Sequence, residues 1–226
     1  MSSNRTASIT TSADVYKDIR SRIVDGGLSP GSRLVQRQLA AEYNTSNSPI
    51  IECIRRLEGD GLVVSIPGLG AEVREFNQQD LFFLCKLREA VDATGSALYA
   101  VNANRIQRRE LEECAKRCDE ALLAGDETGY GQADISLHLH IAEHSGSPLL
   151  CHFVESSYIL SATVLNRMLA ESEWPADIKI GEHDTLVQAA NSGDPKRARN
   201  AALDHLRHGF HCVIEAFGLD DVTDVL

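Results

Sequence analysis

The chain has 226 residues with 22 basic and 33 acidic side chains, which give a net charge of −11 at pH 7. Residues 1–75 contain nine basic and nine acidic side chains, which leaves 13 of the basic and 24 of the acidic residues for 76–226. The acidic total therefore does not exclude DNA binding, because the first part is neutral and rich in arginine.

The apolar stretches and the cysteines indicate the cellular environment that we expect for the protein. No stretch approaches the roughly 18 apolar residues that a membrane span requires, and polar residues follow Met1, so we expect a cytoplasmic protein without a membrane partner. The six cysteines include no CxxC pair and are typical of reduced core residues. Cys114 and Cys118 are one helical turn apart, but nothing nearby in the sequence completes a metal site.

The N-terminal part begins with an irregular segment. Residues 1–10 show no periodicity, and we predict a flexible arm there. The apolar residues after this segment recur with the spacing of one helix face. They predict a helix that begins at the cap residue Ser12 and ends at Gly26 and Gly27. Residues 28–34 are rich in turn formers and predict a connector.

Two further helices and a hairpin complete this part. A second short helix carries Leu39 inward, and a third begins at Ser48, which precedes a proline at the first helical position. Two short strands over 62–66 and 71–73 flank a glycine-rich tip and predict a β-hairpin. Three helices and a hairpin within 11–75 have the order of a winged helix-turn-helix.

After this hairpin, the apolar residues recur only with the spacing that is typical of helices. We predict six helices, at 78–102, 106–124, 127–145, 147–170, 176–192 and 195–217. Short connections between them favour an antiparallel bundle. The predicted fold is therefore mainly α, with a winged helix-turn-helix followed by an all-α six-helix antiparallel bundle over 78–217. An acidic tail occupies 218–226.

The first domain offers candidate DNA contacts. A helix-turn-helix inserts its second helix into the major groove, where each base pair presents a distinct pattern of donors and acceptors. The candidates at the start of that helix, beside the preceding helix and at the wing are Arg33, Arg37, Ser46, Asn47, Ser48, Gly68 and Gly70. Arg20 and Arg22 on the first helix are placed to meet phosphates. The alternative is a winged helix for protein interaction, with its arginines on a solvated face.

The second domain contains a candidate metal site. Asp134 and His138 are four residues apart, so they project from one helix face. His183 near the start of the fifth bundle helix and His205 in the sixth can lie beside them in an antiparallel bundle. Three imidazoles and one carboxylate suit zinc first, and also nickel, manganese or iron. The spacing alone leaves open partly exposed or hydrogen-bonded histidines.

Arg88 is a second unusual feature of this domain. It follows Leu84 by four residues on the inward face of the first bundle helix. A buried guanidinium must be paired, because an unpaired buried charge is very costly. The pattern leaves two alternatives open: a structural salt bridge to Asp92 or Glu89, and the binding of an anionic effector.

The first domain resembles the DNA-binding domain of a known family. The sequence LSPGSRL at 28–34, the run SNSPIIECIRRLEGDGL at 46–62 and the PGLG tip are similar to the GntR family of bacterial regulators. Arg37 matches an arginine of that family, whereas Asn47 and Ile51 replace two others that commonly contact the operator. The resemblance therefore implies DNA binding with altered specificity or lower affinity, and an asparagine can read adenine.

The helical domain resembles the FCD ligand-binding domain of the FadR subfamily. The similarity rests on DISLH at 134–138, SGSPLL at 145–150 and the later segments around the two distal histidines, and six helices indicate the VanR-like branch. The resemblance implies that the metal ligands are Asp134, His138, His183 and His205. It also implies that Arg88 binds an effector carboxylate beside the metal.

These patterns together predict a transcription regulator. We expect a repressor without enzymatic activity that binds palindromic operator DNA as a homodimer and responds to a small organic acid. One alternative is a metal-dependent hydrolase, in which open metal positions would activate water. The other is a DNA-binding protein with a purely structural metal.

Overall fold

The computed structural model describes residues 11–67, 70–169 and 180–217. The chain divides into two compact units. One unit comprises Met1–Asn77 with Ala162–Arg167, and the other comprises Gln78–Ser161 with Met168–Leu226. The predicted arm, the acidic tail and Gly68 lie outside the described residues.

Three helices form most of the first unit. They are α1 (Ser12–Val24), α2 (Gln36–Glu42) and α3 (Asn47–Gly59). Their apolar faces meet in a small core whose fully buried members include Val15, Ile19, Ile23, Ile50 and Leu57. The two helices α2 and α3, joined by a short turn, have the arrangement that the sequence predicts for a helix-turn-helix.

A three-stranded antiparallel sheet completes the first unit. Its strands are β1 (Arg33–Leu34), β2 (Val63–Ile66) and β3 (Gly70–Val73), in the order β1-β3-β2. The hairpin of β2 and β3 agrees with the sequence pattern, but β1 lies in the predicted connector. Two residues are too few to show strand alternation. The preceding Gly31, at φ +72°, donates its N–H to the carbonyl of Val73 at 2.9 Å and so joins the connector to the sheet.

Two helix starts differ from the predicted ones. Thr11, rather than Ser12, caps α1, and its hydroxyl accepts a hydrogen bond from the backbone N–H of Asp14. Helix α3 begins at Asn47 and its cap position is Ser46, two residues before the predicted cap at Ser48. Pro49 fits in the first turn of α3 because the backbone N–H groups of that turn have no partner within the helix.

Six helices form the described part of the second unit, except that Ala162–Arg167 of the fourth of them is assigned to the first unit. They are α4 (Gln78–Asn102), α5 (Arg105–Ala124), α6 (Glu127–Glu143), α7 (Pro148–Leu169), α8 (Asp184–Ala190) and α9 (Pro195–Phe217). The predicted fold class is confirmed. The fifth helix was predicted to begin at 176, but its described part is shorter, because 180–183 form a turn in which Gly181 has φ +79°. Residues 170–179 lie outside the description.

Packing in the second unit joins distant parts of the chain. Helix α4 packs mainly against α9, and α5 against α6. The core includes the fully buried residues Tyr99, Leu111, Cys118, Leu137 and Leu186. Within the described residues, none of the helices has the length and apolar character needed to cross a membrane.

Candidate functional site

Four predicted ligands converge inside the second unit. We call them the acid–histidine cluster: Asp134, His138, His183 and His205. Helix α6 supplies the first two from successive turns, His183 is the residue before α8, and His205 comes from α9. One potential ligand atom from each residue lies within 4.8 Å of the others.

The carboxylate of Asp134 lies close to two histidines of the cluster. Oδ1 of Asp134 lies 3.0 Å from Nε2 of His183 and 3.6 Å from Nε2 of His138. The ring of His205 stacks on that of His138 with centroids 5.2 Å apart, and its centroid is 4.7 Å from that of His183. The three rings and the acid therefore surround one point.

Burial separates this cluster from an ordinary surface group. His138 and His183 are only 3% and 2% exposed. Nε2 of His138 is buried and has no hydrogen-bond partner among the residues that the structure describes. An unsatisfied buried polar atom costs about 1–3 kcal/mol. An ion at the centre of the cluster would satisfy this nitrogen, so the donor set of three imidazoles and one carboxylate fits a divalent transition metal.

The electrostatics keep the carboxylate of the cluster ionised. Burial raises the pKa of Asp134, but the neighbouring imidazoles of His138 and His183 outweigh it and hold that pKa well below its usual range. Burial lowers the pKa of His183, but hydrogen bonds to Asp134 and Cys118 raise it to about 10. Burial and the neighbouring histidines hold the pKa of His205 well below its usual range, so its ring is neutral and has a free lone pair.

Arg88 adjoins the cluster, as the resemblance implies. Its side chain is 16% exposed, its Cζ lies 3.7 Å from the centroid of the Tyr158 ring, and its Nε is 3.9 Å from Oδ2 of Asp92. Burial opposes its charge, but Tyr158 and Asp92 raise the pKa of the guanidinium above its usual value. Its Nε has no hydrogen-bond partner within the described parts of the chain. The guanidinium is thus charged and only partly paired.

The two salt-bridge alternatives for Arg88 are now distinguishable. Asp92 is its ion-pair partner. Glu89 instead contacts Lys86 at 2.8 Å and Arg207 at 3.2 Å, so the suggested pair with Glu89 is wrong.

Tyr158 and Asp92 connect Arg88 to the cluster. The hydroxyl of Tyr158 donates to Oδ2 of Asp92 at 3.0 Å, and the same oxygen lies 4.0 Å from Nδ1 of His138. Burial raises the pKa of Asp92, although His138 and Arg88 oppose this shift. Sequence reasoning missed Tyr158. The available signal was its position four residues after Val154 on the inward face of α7.

Glu182 supports the opposite side of the cluster. Its Oε1 lies 3.9 Å from Nδ1 of His205, and its Oε2 accepts a hydrogen bond of 3.5 Å from the hydroxyl of Tyr130. Carboxylates in such positions orient histidines that bind metals. The histidine rings therefore have outer contacts of the kind that metal sites use.

An open groove lies elsewhere on the second unit, with a volume of about 710 Å³. Its walls come from α5, α8 and the start of α9. They include Glu112, Lys116, Asp119, Asp184 and Arg197. None of the acid–histidine cluster lines it. Its charges are mixed and exposed to solvent, so Arg88 is the better candidate for recognising an anion.

The first unit exposes most of the predicted DNA contacts. The arginine side chains at 33 and 37 and the start of α3 are exposed, and so is the first residue of β3. The exposed residues are Arg33, Arg37, Ser46, Asn47, Ser48 and Gly70. Asn47 is the first residue of α3, where a recognition helix meets base edges. Gly68 remains a prediction outside the described residues.

Arg22 has a different role from the predicted one. Its guanidinium donates to Oε1 of Glu42 at 2.7 Å and to the hydroxyl of Tyr43 at 3.0 Å. It therefore joins α1 to the end of α2 instead of pointing freely towards phosphates. Arg20 lies 5.5 Å from the centroid of the Tyr16 ring.

Two family models match this chain. Residues 11–73 match the bacterial regulatory proteins of the gntR family, and residues 84–208 match the FCD domain. The second match alone covers more than half of the chain.

Relatives match the chain over nearly its whole length. It is 26% identical over 204 residues to the "Probable D-xylose utilization operon transcriptional repressor" of Paenarthrobacter nicotinovorans, over 90% of this chain and 89% of the relative. It is 22% identical over 211 residues to the "HTH-type transcriptional regulator McbR" of Escherichia coli (strain K12), over 92% and 95% of the two chains.

Solved structures share the fold. The structure of E. coli McbR/YncC has a TM-score of 0.75 at 22% identity and covers 90% of this chain and 97% of its own. A GntR transcriptional regulator from Rhodococcus sp. RHA1 has a TM-score of 0.70 at 23% identity, with 91% and 98% covered. The helix-turn-helix, the helical domain and the matches to both family models lead to one conclusion: the chain belongs to the GntR family of bacterial regulatory proteins, in its FadR subfamily with an FCD domain, and is a DNA-binding transcription regulator.

Proposed function

We propose that this regulator is a homodimeric repressor whose operator affinity is controlled by a small organic acid, bound beside a metal ion in the acid–histidine cluster. The observation that carries the proposal is the buried Nε2 of His138, which lies within a set of three imidazoles and one carboxylate and has no hydrogen-bond partner in the described parts of the chain. Zinc is the first candidate for such donors, and nickel, manganese and iron also suit them. When bound, the metal would supply a Lewis-acidic position for an anionic oxygen.

Arg88 supports the effector part of the proposal. Its charged guanidinium is held against Tyr158, and its Nε has no hydrogen-bond partner among the described residues. A carboxylate there would accept charge-assisted hydrogen bonds, which are about twice as strong as neutral ones. Asp92 and Tyr158 fix the orientation of the guanidinium before the effector arrives.

The proposal that the protein is a homodimer rests on operator geometry, and the proposal that it is a repressor rests on its relatives. Helix-turn-helix regulators bind paired half-sites about one helical turn apart, which requires two DNA-binding domains. The Paenarthrobacter relative carries a repressor's name, and we extend that direction of control to this chain. An effector can change operator affinity only if it binds the two dimer arrangements with different free energies.

Operator binding with and without organic acids tests the proposal. We expect at least one hydroxy or dicarboxylic acid to stabilise the zinc-loaded protein thermally and to change its operator affinity by about fivefold or more. Arg88→Gln should abolish both responses while the metal content stays unchanged, because Arg88 does not belong to the cluster.

The alternatives predict other outcomes. A purely structural metal predicts that chelation lowers stability while no organic acid changes operator affinity. Steady hydrolysis of a carboxylate ester by the zinc-loaded protein would favour the hydrolase. Either result would overturn the effector proposal.

A further inference from the structure

A second group of potential ligands lies between α5 and α6, separate from the acid–histidine cluster. We call it the α5–α6 cluster: Glu110, His140 and His144. One potential ligand atom from each of these residues lies within 4.8 Å of the others. The two histidines are four residues apart at the end of α6, and their ring centroids are 4.4 Å apart.

The orientation of His140 leaves one ring nitrogen available. Its Nε2 lies 2.8 Å from the backbone carbonyl of Gln107. A carbonyl can only accept, so Nε2 is the donor, and in the neutral ring the lone pair is on Nδ1. The hydroxyl of Tyr99 donates to the same carbonyl at 2.9 Å. Histidines that bind metals generally donate their other ring N–H to a carbonyl or a carboxylate, so this ring is already oriented.

Acidic side chains lie near the ring of His140. Glu110 and Glu143 both act on this ring and provide a negative field. A divalent ion would accept the lone pair and partly neutralise these carboxylates.

We propose that Glu110, His140 and His144 form a second metal site, open to solvent, for a divalent transition-metal ion such as zinc. Imidazole nitrogens suit zinc, copper and nickel, and the exposed glutamate adds an oxygen ligand. Three protein ligands leave room for water, so this site binds more weakly than a four-ligand buried centre. The site does not depend on the proposed effector or on the occupancy of the acid–histidine cluster.

Zinc titration of the full-length protein tests this site. The protein is stripped with a chelator, reloaded with one equivalent of zinc and then titrated with zinc in a calorimeter. We expect a second equivalent to bind. Glu110→Gln and His144→Gln should each weaken it by at least about tenfold, because even the loss of an outer contact costs about 10–100-fold in metal affinity. The first equivalent should be unaffected.

Two exposed residues of the same types serve as controls. Glu120→Gln on α5 and His152→Gln on α7 change a similar side chain outside the cluster and should leave both equivalents unchanged. NMR of the histidine rings gives an independent reading, in which the second equivalent should shift the Nδ1 signal of His140.

Three results would overturn the second site. The protein could bind only one equivalent of zinc, with an affinity that Glu110→Gln and His144→Gln leave unchanged. A second equivalent could bind equally well to Glu110→Gln and His144→Gln, as it would at a thiol such as Cys85 or Cys151. The ring signals of His140 could also stay unchanged when that equivalent binds.

Discussion

At the scale of single residues, the buried charges beside the cluster are the least ordinary feature of the molecule. Asp92 is 4% exposed, and its carboxylate is shared by Arg88, Tyr158 and His138. A buried ion pair contributes little net stability because desolvation offsets its attraction, but removing one partner leaves the other uncompensated. These residues are therefore better explained by a binding role than by stability alone.

Tyr158→Phe tests the hydrogen bond that holds this group together. The change removes only the hydroxyl that donates to Asp92, and the ring remains beneath Arg88. A hydrogen bond to a charged group contributes about 1.5–3 kcal/mol, so the free energy of unfolding should fall by that amount. Urea unfolding of the zinc-loaded protein measures it. Wild-type stability in the variant would show that the hydroxyl is not needed to satisfy Asp92.

Asn47 tests the interpretation of the DNA-binding surface. It is exposed at the first position of α3, where the resemblance to the family implies an arginine. Asn47→Arg should strengthen binding to the operator region. It should also steepen the slope of log affinity against log salt by about 0.9, because one further phosphate contact releases counterions.

Gel-shift titrations at several salt concentrations measure this slope. Gln188→Arg adds the same charge at an exposed position of α8 in the second unit and should leave the slope nearly unchanged. Equal slopes for Asn47→Arg and wild type would contradict the assignment of this position to the DNA contact.

At the scale of elements, two glycines of the α5–α6 pair have opposite roles. Gly125 ends α5 in the left-handed region at φ +67°, where other residues are strained. Gly131 lies inside α6, and an added Cβ there would meet no atom within 4 Å. The same substitution should therefore have opposite effects at the two sites.

Gly125→Ala should lower the free energy of unfolding by about 1–2 kcal/mol, because a Cβ is unfavourable in the left-handed conformation. Gly131→Ala, its matched control, should raise the free energy by about 0.5–1 kcal/mol because alanine favours a helix interior. Urea unfolding of both variants measures the difference. A gain at Gly125 or a loss at Gly131 would contradict the helix boundary between them.

The sequence predicted elements with long periodic patterns better than short ones. All six bundle helices and the hairpin were found, because their apolar periods and glycine or proline boundaries are local signals. Strand β1 was missed since it has two residues and depends on pairing with β3. The start of α8 was placed too early because apolar periodicity does not show the turn at 180–183, in which Gly181 has a positive φ.

At the scale of the whole molecule, the site was predicted less completely than the fold. The spacing of Asp134 and His138 placed two ligands on one face, and an antiparallel bundle allowed His183 and His205 beside them. The family resemblance then favoured these two over the remaining histidines. The structure brings all four together. The contacts of Tyr158 and Glu182 were not predictable, because each depends on how distant helices pack.

The uneven charge of the chain has a consequence for DNA binding. Residues 76–226 carry 24 acidic and 13 basic side chains, whereas 1–75 are neutral. Attraction to DNA must therefore come from a few arginines of the first unit, which makes affinity sensitive to each of them and to salt. The replacement of family arginines by Asn47 and Ile51 consequently matters more here than in a strongly basic domain.

Elemental analysis combined with native mass spectrometry decides whether the acid–histidine cluster holds a metal. We expect one tightly held transition-metal ion per chain after extensive dialysis, retained in His152→Gln and lost in both Asp134→Asn and His183→Gln. Folded protein that contains no transition metal, or an ion that persists in both cluster variants, would contradict this expectation.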